Sequence, residues 1–447
     1  MGVREVTRVA WPIVLSMLSF TLVTFVNAVW VGPLGKAHLA AIGLGTVLLY
    51  AVHGFGIGIL SGLKVGVAQA TGEGDGLRAQ RFAWQGIRLA VVMGALEVLF
   101  IPLAEPLIRL LGGSDEAAPL AADYFAARAW GAIPAFIMTA LTQYLQGRGR
   151  TVAPMFAMII ANVVNLGLDP LLIYGYGPFP AMDIAGAGWA ASIAFSAGAV
   201  FLIVVTRKEL AATPRAYDRG LFARIFELGL PLGARATLEV CSFLVFQAIL
   251  AYNGDAHLAA HVLVVQTIKW SFLPGYAISE AVAVLVGQAV GARRLELVAR
   301  IQRAGVVLAT GFMVLCGIVF VLFPETLASL FGAEPEVVQI AIGVFVVAAA
   351  FQIFDAFAMV GLGVLNGAGD TRFVMVSTVL VAWAVKLPIG WALATPAGLG
   401  AAGAWWGILA ECIVLWLVLR WRIQRGGWRR AATRTEEVTL DPALQEA

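Results

Sequence analysis

The chain repeats its own sequence at a spacing of 219 residues, which becomes 220 further along the chain. The matching positions are His38 to Ala41 with His257 to Ala260, Pro12 with Pro231, Gln69 with Gln288, Arg81 with Arg300 and, after the one-residue slip, Gly147 with Gly367. Because the matches stay in register over about 140 residues, chance does not explain them. Two homologous halves in an apolar chain are typical of membrane transporters that are built from internal repeats.

Composition independently favours a membrane protein. Of the 447 residues, 60% are hydrophobic and 13% are charged, whereas soluble domains are charged at about 25% of their positions. A helix needs about 20 apolar residues to cross a bilayer. Twelve runs reach that length, at about 10–32, 39–71, 83–104, 119–145, 152–175, 186–206, 221–253, 258–290, 300–323, 334–366, 373–394 and 400–421. The sequence therefore predicts an all-α polytopic membrane protein with 12 transmembrane helices.

The distribution of positive charge predicts the orientation of these spans. If the N-terminus is cytoplasmic, 23 of the 30 Lys and Arg residues lie in the cytoplasmic segments. Only Lys36 and Arg109 lie in the outer loops. Cytoplasmic segments of membrane proteins carry such an excess of positive charge. We therefore expect both termini to be cytoplasmic and the two halves to be parallel six-helix repeats.

This arrangement predicts four parts of the chain. Residues 1–206 form an N-lobe of helices 1–6, and residues 225–421 form a C-lobe of helices 7–12. Residues 207–224, which are rich in basic side chains, form a cytoplasmic linker between the lobes. Residues 422–447 turn polar and are expected to form a disordered cytoplasmic tail.

Ionisable side chains inside the spans are the candidates for function, because each costs several kcal/mol there unless it faces a cavity or a partner. The candidates are the acids Glu97, Asp169, Glu239, Glu280, Asp355 and Glu411 and the bases Lys64, Arg235, Lys269 and Lys386. Each acid also has a plainer interpretation as one half of a structural ion pair. Arg235, for example, lies four residues before Glu239 and on the same helix face.

Other kinds of site find no support in the sequence. His38 and His257 lie at the ends of outer loops, and His53 and His261 have no Cys or carboxylate at the spacing of a metal site. The 49 glycines follow no phosphate-binding pattern. A net charge of +3 fits cytoplasmic loops that face anionic membrane lipids. We therefore expect no metal centre, no cofactor and no nucleic-acid partner.

Several short motifs stand at characteristic positions in the two halves, after Pro12 in the first. They are Val31 to Gly35, Leu39 to Ala41 and Val67 to Gly72 in the first half, and Val286 to Gly291 and Leu365 to Thr371 in the second. Together they resemble the multidrug and toxic compound extrusion (MATE) transporters over all twelve spans. The resemblance implies an exporter in the bacterial inner (cytoplasmic) membrane. Such an exporter exchanges cationic or amphipathic small molecules for Na⁺ or H⁺.

The resemblance also implies a polar site in the N-lobe. Family members commonly combine an Asp on the first span with an Asn and an Asp four residues apart on the fifth. Asn165 and Asp169 match the fifth-span pair, whereas Asn27 stands where the first-span Asp is expected. Since an amide cannot take up a proton at physiological pH, we expect these three residues to form a drug or auxiliary polar pocket.

A second site is implied in the C-lobe. One sodium-coupled bacterial branch has a Glu on the seventh span and an Asp on the tenth, which Glu239 and Asp355 match. A Tyr that this branch carries one turn before the Asp is Phe351 here. Two carboxylates can bind Na⁺ transiently, or can take up a proton where water is scarce. Glu239 and Asp355 are therefore predicted to couple export to Na⁺ or H⁺.

Two other classes of protein remain open at this point. A lipid-linked precursor flippase of the same superfamily shares the architecture, but usually adds two helices and a cationic groove. A polytopic membrane enzyme would place Asp, His or Arg clusters in long interfacial loops. The loops of this chain are short, so we expect a transporter and no enzyme.

Overall fold

The computed structural model describes residues 2–176 and 180–430, which form sixteen α-helices and no β-strand. The helices of the first half are α1 (Val3–Val31), α2 (Lys36–Glu73), α3 (Gly76–Leu99), α4 (Ile101–Leu110), α5 (Ala117–Trp130), α6 (Ala132–Gly147), α7 (Val152–Tyr174) and α8 (Asp183–Ala211). The helices of the second half are α9 (Arg219–Tyr252), α10 (Asp255–Gly291), α11 (Glu296–Leu322), α12 (Pro324–Ser329), α13 (Pro335–Gly367), α14 (Thr371–Val381), α15 (Leu387–Ala394) and α16 (Gly400–Gln424). A π-helical turn (Ala382–Lys386) joins α14 to α15.

Ten helical segments in the described part of the chain are long and apolar enough to cross a membrane. They are α2, α3, α7, α8, α9, α10, α11, α13, α14 with α15, and α16. The pair α5 and α6 passes the same test as one broken span. The helix α1 has 29 residues, more than the approximately 20 that a span requires. The predicted all-α polytopic fold with twelve transmembrane helices is therefore confirmed.

The fourth span is not straight, which the sequence analysis did not predict. Its two helices, α5 and α6, meet at an angle of 54°. Pro134 in the first turn of α6 has no N–H to continue the hydrogen bonding of α5. Gly131, between the two helices, lies against Ser192 of α8 so closely that a Cβ would collide with it. The bend therefore follows from a proline and from a contact with α8.

The helices group into two units. The N-terminal unit is Pro12–Gly233, and the C-terminal unit combines Met1–Trp11 with Ala234–Ala447. The division predicted from the sequence, 1–206 and 225–421, placed the boundary within the linker. By their contacts, the first residues of α9 group with the N-terminal unit and the first residues of α1 with the C-terminal unit.

The predicted linker, residues 207–224, is largely helical. Only residues 212–218 lie between α8 and α9. The hydroxyl of Thr213 donates a hydrogen bond to Oε1 of Gln80 on α3, at 2.7 Å. The connection is therefore attached to the N-terminal unit.

The predicted tail, residues 422–447, begins within a helix. The helix α16 continues to Gln424, and Nε1 of Trp428 donates a hydrogen bond to the carbonyl of Ile423 at 3.2 Å. The remaining residues of the predicted tail, 431–447, lie outside the described residues.

The sequence repeat is also visible in the backbone. Four pairs of positions that the repeat relates have a positive φ in both halves. They are Gly35 (+123°) with Gly254 (+118°), Gly74 (+81°) with Arg293 (+57°), Gly112 (+93°) with Gly332 (+63°), and Gly149 (+73°) with Gly369 (+86°). Because left-handed backbone is uncommon outside turns, this agreement shows that the two halves share one fold.

The two repeat-related histidines have equivalent structural roles. Nε2 of His38 lies 2.8 Å from Oδ2 of Asp183, the first residue of α8. Nδ1 of His257 accepts a hydrogen bond at 3.1 Å from the N–H of Ala401, in the first turn of α16. Each histidine thus contacts the start of the sixth span of its half, where N–H groups lack helical partners.

Candidate functional site

Asp355, predicted to couple cation movement, lies on α13 with only 8% of its surface exposed. Its Oδ1 accepts a hydrogen bond from the thiol of Cys412 on α16, at 4.0 Å. Its Oδ2 has no hydrogen-bond partner among the described residues. Because an unpaired buried acceptor is costly, this oxygen is suited to receive a proton or a cation.

Glu239, the second predicted coupling residue, lies on α9 with 37% of its side chain exposed. Nε of Arg235 lies 3.3 Å from its Oε1, one helical turn away. The ion pair that the i,i+4 spacing suggested is therefore present. Because such a pair also fits a structural role, the coupling role of Glu239 stays a prediction.

Glu411 and Lys386 extend this group of charges. Nζ of Lys386 lies 3.3 Å from both carboxylate oxygens of Glu411. Glu411 acts electrostatically on Asp355, and Glu239 acts on Glu411. Arg235, Glu239, Asp355, Lys386 and Glu411 thus form one group in the C-terminal unit, which we call the C-unit charge cluster.

A close approach of two helices places Glu411 beside Lys386. Pro388 has no N–H, and its ring would collide with the carbonyl one turn earlier in a regular helix. The chain widens there into the π-helical turn Ala382–Lys386, a feature that is frequent at functional sites. Gly407 lies one turn before Glu411, and a Cβ on it would lie 2.5 Å from the carbonyl oxygen of Lys386. The glycine therefore allows α16 to approach the turn closely.

A group of aromatic side chains includes Phe351, one turn before Asp355 on α13, and sequence reasoning missed most of this group. His261 on α10 is fully buried, and its Nδ1 accepts a hydrogen bond from Nε1 of Trp405 at 3.2 Å. The rings of Trp405 and Phe351 meet edge to face, with 6.1 Å between their centroids. Phe351 lies one turn before Asp355, so this face of α13 carries a ring without the hydroxyl that a Tyr would add.

In the N-terminal unit, the structure brings Asn165 and Asp169 together on α7. Nδ2 of Asn165 donates a hydrogen bond to Oδ1 of Asp169 at 3.1 Å. Asp169 has no exposed surface, and Asn27 on α1 is also buried. A fully buried carboxylate in an apolar bundle is a strong candidate for function.

Two hydrogen bonds place Asn27 at the level of Asp169. The amide of Asn162 on α7 donates to Ser19 on α1, and further along the hydroxyl of Tyr174 donates to the carbonyl of Trp30. The partners are 143 and 144 residues apart, so α1 and α7 run alongside each other in one register. This register puts Asn27 opposite the turn of α7 that holds Asp169, and the pocket formed by these residues stays a prediction.

A buried His–Glu pair in the N-terminal unit was not predicted. Nδ1 of His53 on α2 lies 2.8 Å from Oε2 of Glu97 on α3, and only 2% of the Glu97 side chain is exposed. The ring of His53 stacks on Phe136, with 4.1 Å between centroids. Each member of the pair lies 22 residues from Asp75, which precedes α3. That symmetry about a helical hairpin is the signal that could have revealed the pair.

No group of three or more His, Cys, Asp or Glu side chains within residues 2–176 and 180–430 is arranged to hold a metal ion. Among the described acids, Glu97 and Asp355 each keep one buried carboxylate oxygen without a hydrogen-bond partner. This arrangement suits a proton or a transient monovalent cation better than a resident metal.

The two halves also match one family separately. A model of the MatE family matches residues 12–171 and, a second time, residues 231–392. The two matches begin at Pro12 and Pro231, which the internal repeat relates. The family pattern therefore covers most of both repeats.

Bacterial relatives share this pattern over nearly their whole length. The chain is 29% identical over 426 residues to the probable multidrug resistance protein NorM of Rhizobium meliloti, covering 93% of this chain and 91% of the relative. It is 30% identical over 416 residues to the protein of the same name from Deinococcus radiodurans, covering 91% and 92%.

Solved structures share the fold at low sequence identity. A crystal structure of MATE in the bent conformation has a TM-score of 0.88 at 20% identity, covering 96% of both chains. An outward-facing multidrug resistance MATE family transporter of the MOP superfamily has a TM-score of 0.87 at 20% identity, covering 98% of this chain and 97% of the other. With the double match of the family model, these findings show that the chain belongs to the MatE family of multidrug and toxic compound extrusion transporters.

Proposed function

We propose that the protein is a secondary active multidrug efflux antiporter. It exports cationic or amphipathic small molecules in exchange for Na⁺ or H⁺ by alternating access. Its membership of the MatE family supports this function, as do the relatives that are named probable multidrug resistance proteins. The observation that carries the coupling is the state of Asp355. It is buried near Glu411, and one of its carboxylate oxygens has no hydrogen-bond partner among the residues that the structure describes.

Competition for negative charge couples the two movements in this proposal. Glu239 and Asp355 bind the coupling ion, whether a proton or a transient Na⁺, and a cationic drug is attracted to the same carboxylates. Either cation shifts the equilibrium between the two access states only by its different affinity for them. Because the drug and the coupling ion compete for the same carboxylates, the shared site favours exchange of the two cations over the movement of either one alone.

The polar pocket of the N-terminal unit has a different role in this proposal. Asn27, Asn165 and Asp169 contribute one acid and two amides, so they offer hydrogen bonds with a single charge. We assign them to binding of the drug or to an auxiliary polar site. The main coupling to the ion gradient then belongs to the C-unit charge cluster.

The proposed location is the inner membrane of a bacterium, with both termini in the cytoplasm and lipids around the spans. The basic residues of the predicted inner loops support this orientation. For the alternative function, a lipid-linked precursor flippase, the structure offers no specific support. The C-unit charge cluster holds three acids and two bases, rather than the cationic groove that a pyrophosphate needs.

Transport into sealed vesicles tests the proposal. The purified protein is reconstituted into liposomes, and the movement of a fluorescent cationic dye is followed under a Na⁺ gradient or a pH gradient, each imposed separately. We expect one of the gradients to drive the dye against its own concentration gradient. If neither gradient drives it, the protein is not an ion-coupled exporter of such cations.

A further inference from the structure

The acids of the C-unit charge cluster differ in how they are neutralised. Glu239 has Arg235 at 3.3 Å, and Glu411 has Lys386 at 3.3 Å. Asp355 has a thiol on one oxygen and no partner, within the described residues, on the other. When all five groups are ionised, three negative charges face two positive charges. The surplus negative charge is what an incoming cation would neutralise.

Lys386 differs from Arg235 in a way that suits a movable counter-charge. It ends the π-helical turn Ala382–Lys386, whereas Arg235 pairs within the regular helix α9. Lysine carries a compact charge on a flexible stem. The side chains of Lys386 and Glu411 keep 10% and 14% of their surface exposed, so neither charge is completely enclosed by protein.

We propose that Lys386 is a tethered cation that competes with the coupling ion for Glu411, and that Glu411 is a third acid of the ion site beside Asp355. The inference rests on the proposed function and deepens it. Before the ion arrives, the ammonium of Lys386 holds the carboxylate of Glu411. When the ion binds between Glu411 and Asp355, it takes over that carboxylate and Lys386 withdraws. On release of the ion, Lys386 returns and prevents immediate rebinding.

The groups that face this site determine the expected charge balance. Within the described part of the chain they are Arg235 and Glu239 on α9, Tyr276 on α10, Asp355 on α13, Lys386 on the π-helical turn, and Glu411 and Cys412 on α16. With the tyrosine and the thiol neutral, the wild-type site carries one net negative charge. Lys386→Gln raises this to two, Glu411→Gln reduces it to zero, and the double variant restores one.

The experiment measures the ion concentration that gives half-maximal dye export in proteoliposomes. Na⁺ is varied at constant ionic strength with choline, and H⁺ is varied in a separate series. A charge within about 4–6 Å changes the proton affinity of a carboxylate by roughly tenfold or more, and a bound Na⁺ experiences the same electrostatic field. Lys386→Gln should therefore lower the half-maximal concentration about tenfold, and Glu411→Gln should raise it by a similar factor. The double variant should lie near the wild type.

Lys269→Gln is the matched control. Lys269 lies in the same unit but donates to the neutral amide of Gln266, at 2.5 Å. Its substitution should leave the half-maximal concentration unchanged. The melting temperature of each purified variant, measured with and without Na⁺ at several pH values, gives a readout that does not need transport.

A fixed structural bridge predicts a different pattern. Both single variants would then melt at lower temperature, and all half-maximal concentrations would equal that of the wild type. That result overturns the inference. If Lys386→Gln fails to fold, Glu411→Gln and the double variant still test the charge balance, because they are expected to differ about tenfold from each other. A wild type without any ion-driven export would instead refute the proposed function.

Discussion

At the scale of single residues, the proposed function depends on two buried aspartates that have different surroundings. Asp169 accepts a hydrogen bond from the amide of Asn165, whereas Asp355 lies among the charges of Glu411 and Lys386. An amide neighbour adjusts the polarity of a pocket without changing its charge. A charged neighbour changes how strongly a cation is bound. This difference is the physical reason for assigning ion coupling to Asp355.

Substitutions in the N-terminal pocket test this division. Asp169→Asn should change the apparent affinity for the dye more than the dependence on the ion gradient, because it alters one polar contact of the drug. Asn27→Asp should change the pH dependence of transport, since it adds a second acid near Asp169 and two neighbouring carboxylates repel each other when both are ionised. Transport rates against pH and dye concentration measure both effects. An Asp169→Asn protein without any ion dependence would show that the N-terminal unit drives the exchange.

Local spacing predicts some pairs, and tertiary structure decides the others. Arg235 and Glu239 are four residues apart on one helix, so their ion pair follows from the sequence alone. Lys386 and Glu411 are 25 residues apart, and either had other possible partners inside the membrane. Their contact depends on Gly407, because only a residue without a side chain lets α16 come so close. The sequence therefore indicated these residues without showing that they belong to the cluster of Asp355.

At the scale of elements, prolines and glycines determine where the spans depart from straight helices. The twelve apolar runs predicted the spans because the length of an apolar run is enough to indicate a transmembrane helix. The bend between α5 and α6 and the π-helical turn could not be read in this way. They depend on Pro134 and Pro388 together with the helices that approach them. Similar prolines, such as Pro170 in α7, lie within a continuous helix.

The contact between α16 and the π-helical turn should be sensitive to one methyl group. Gly407→Ala places a Cβ 2.5 Å from the carbonyl oxygen of Lys386, so the helices must separate. Overpacking of this kind typically costs about 1–3 kcal/mol. Gly311→Ala is the control, because nothing lies within 4 Å of its added Cβ. Melting temperatures in detergent should fall for Gly407→Ala alone, and equal values for both variants would show that this contact is not tight.

At the scale of the whole molecule, the repeat explains why the fold could be predicted. The same left-handed positions, histidine contacts and family match occur in both halves. The C-unit charge cluster breaks this symmetry, because the positions that the repeat relates to Glu239 and Asp355 are Phe20 and Ala135. The fold could therefore be predicted from the internal repeat. The residues of the C-unit charge cluster could be identified only from the family resemblance and then from the structure.

Orientation in the membrane is a further property of the whole molecule. Asp115 and Arg294 are suitable positions for single cysteines, with 99% and 64% of their side chains exposed. On a background without Cys241, Cys316 and Cys412, a cysteine at Asp115 should react with an impermeant thiol reagent in intact cells. A cysteine at Arg294 should react only after permeabilisation, because the basic loops are predicted to be cytoplasmic. The reverse pattern would mean that the number of spans is wrong.

The most direct test of the central claim is gradient-driven export by variants that lose only a coupling charge. Asp355→Asn and Glu239→Gln keep the size of the side chain, so the protein should still fold and insert. Glu336→Gln is the control, since Glu336 is an exposed acid at the start of α13. In proteoliposomes, both coupling variants should lose dye export driven by the ion gradient, while the control exports like the wild type. Wild-type rates in both coupling variants would contradict the account and would make Asp169 the leading candidate for the coupling residue.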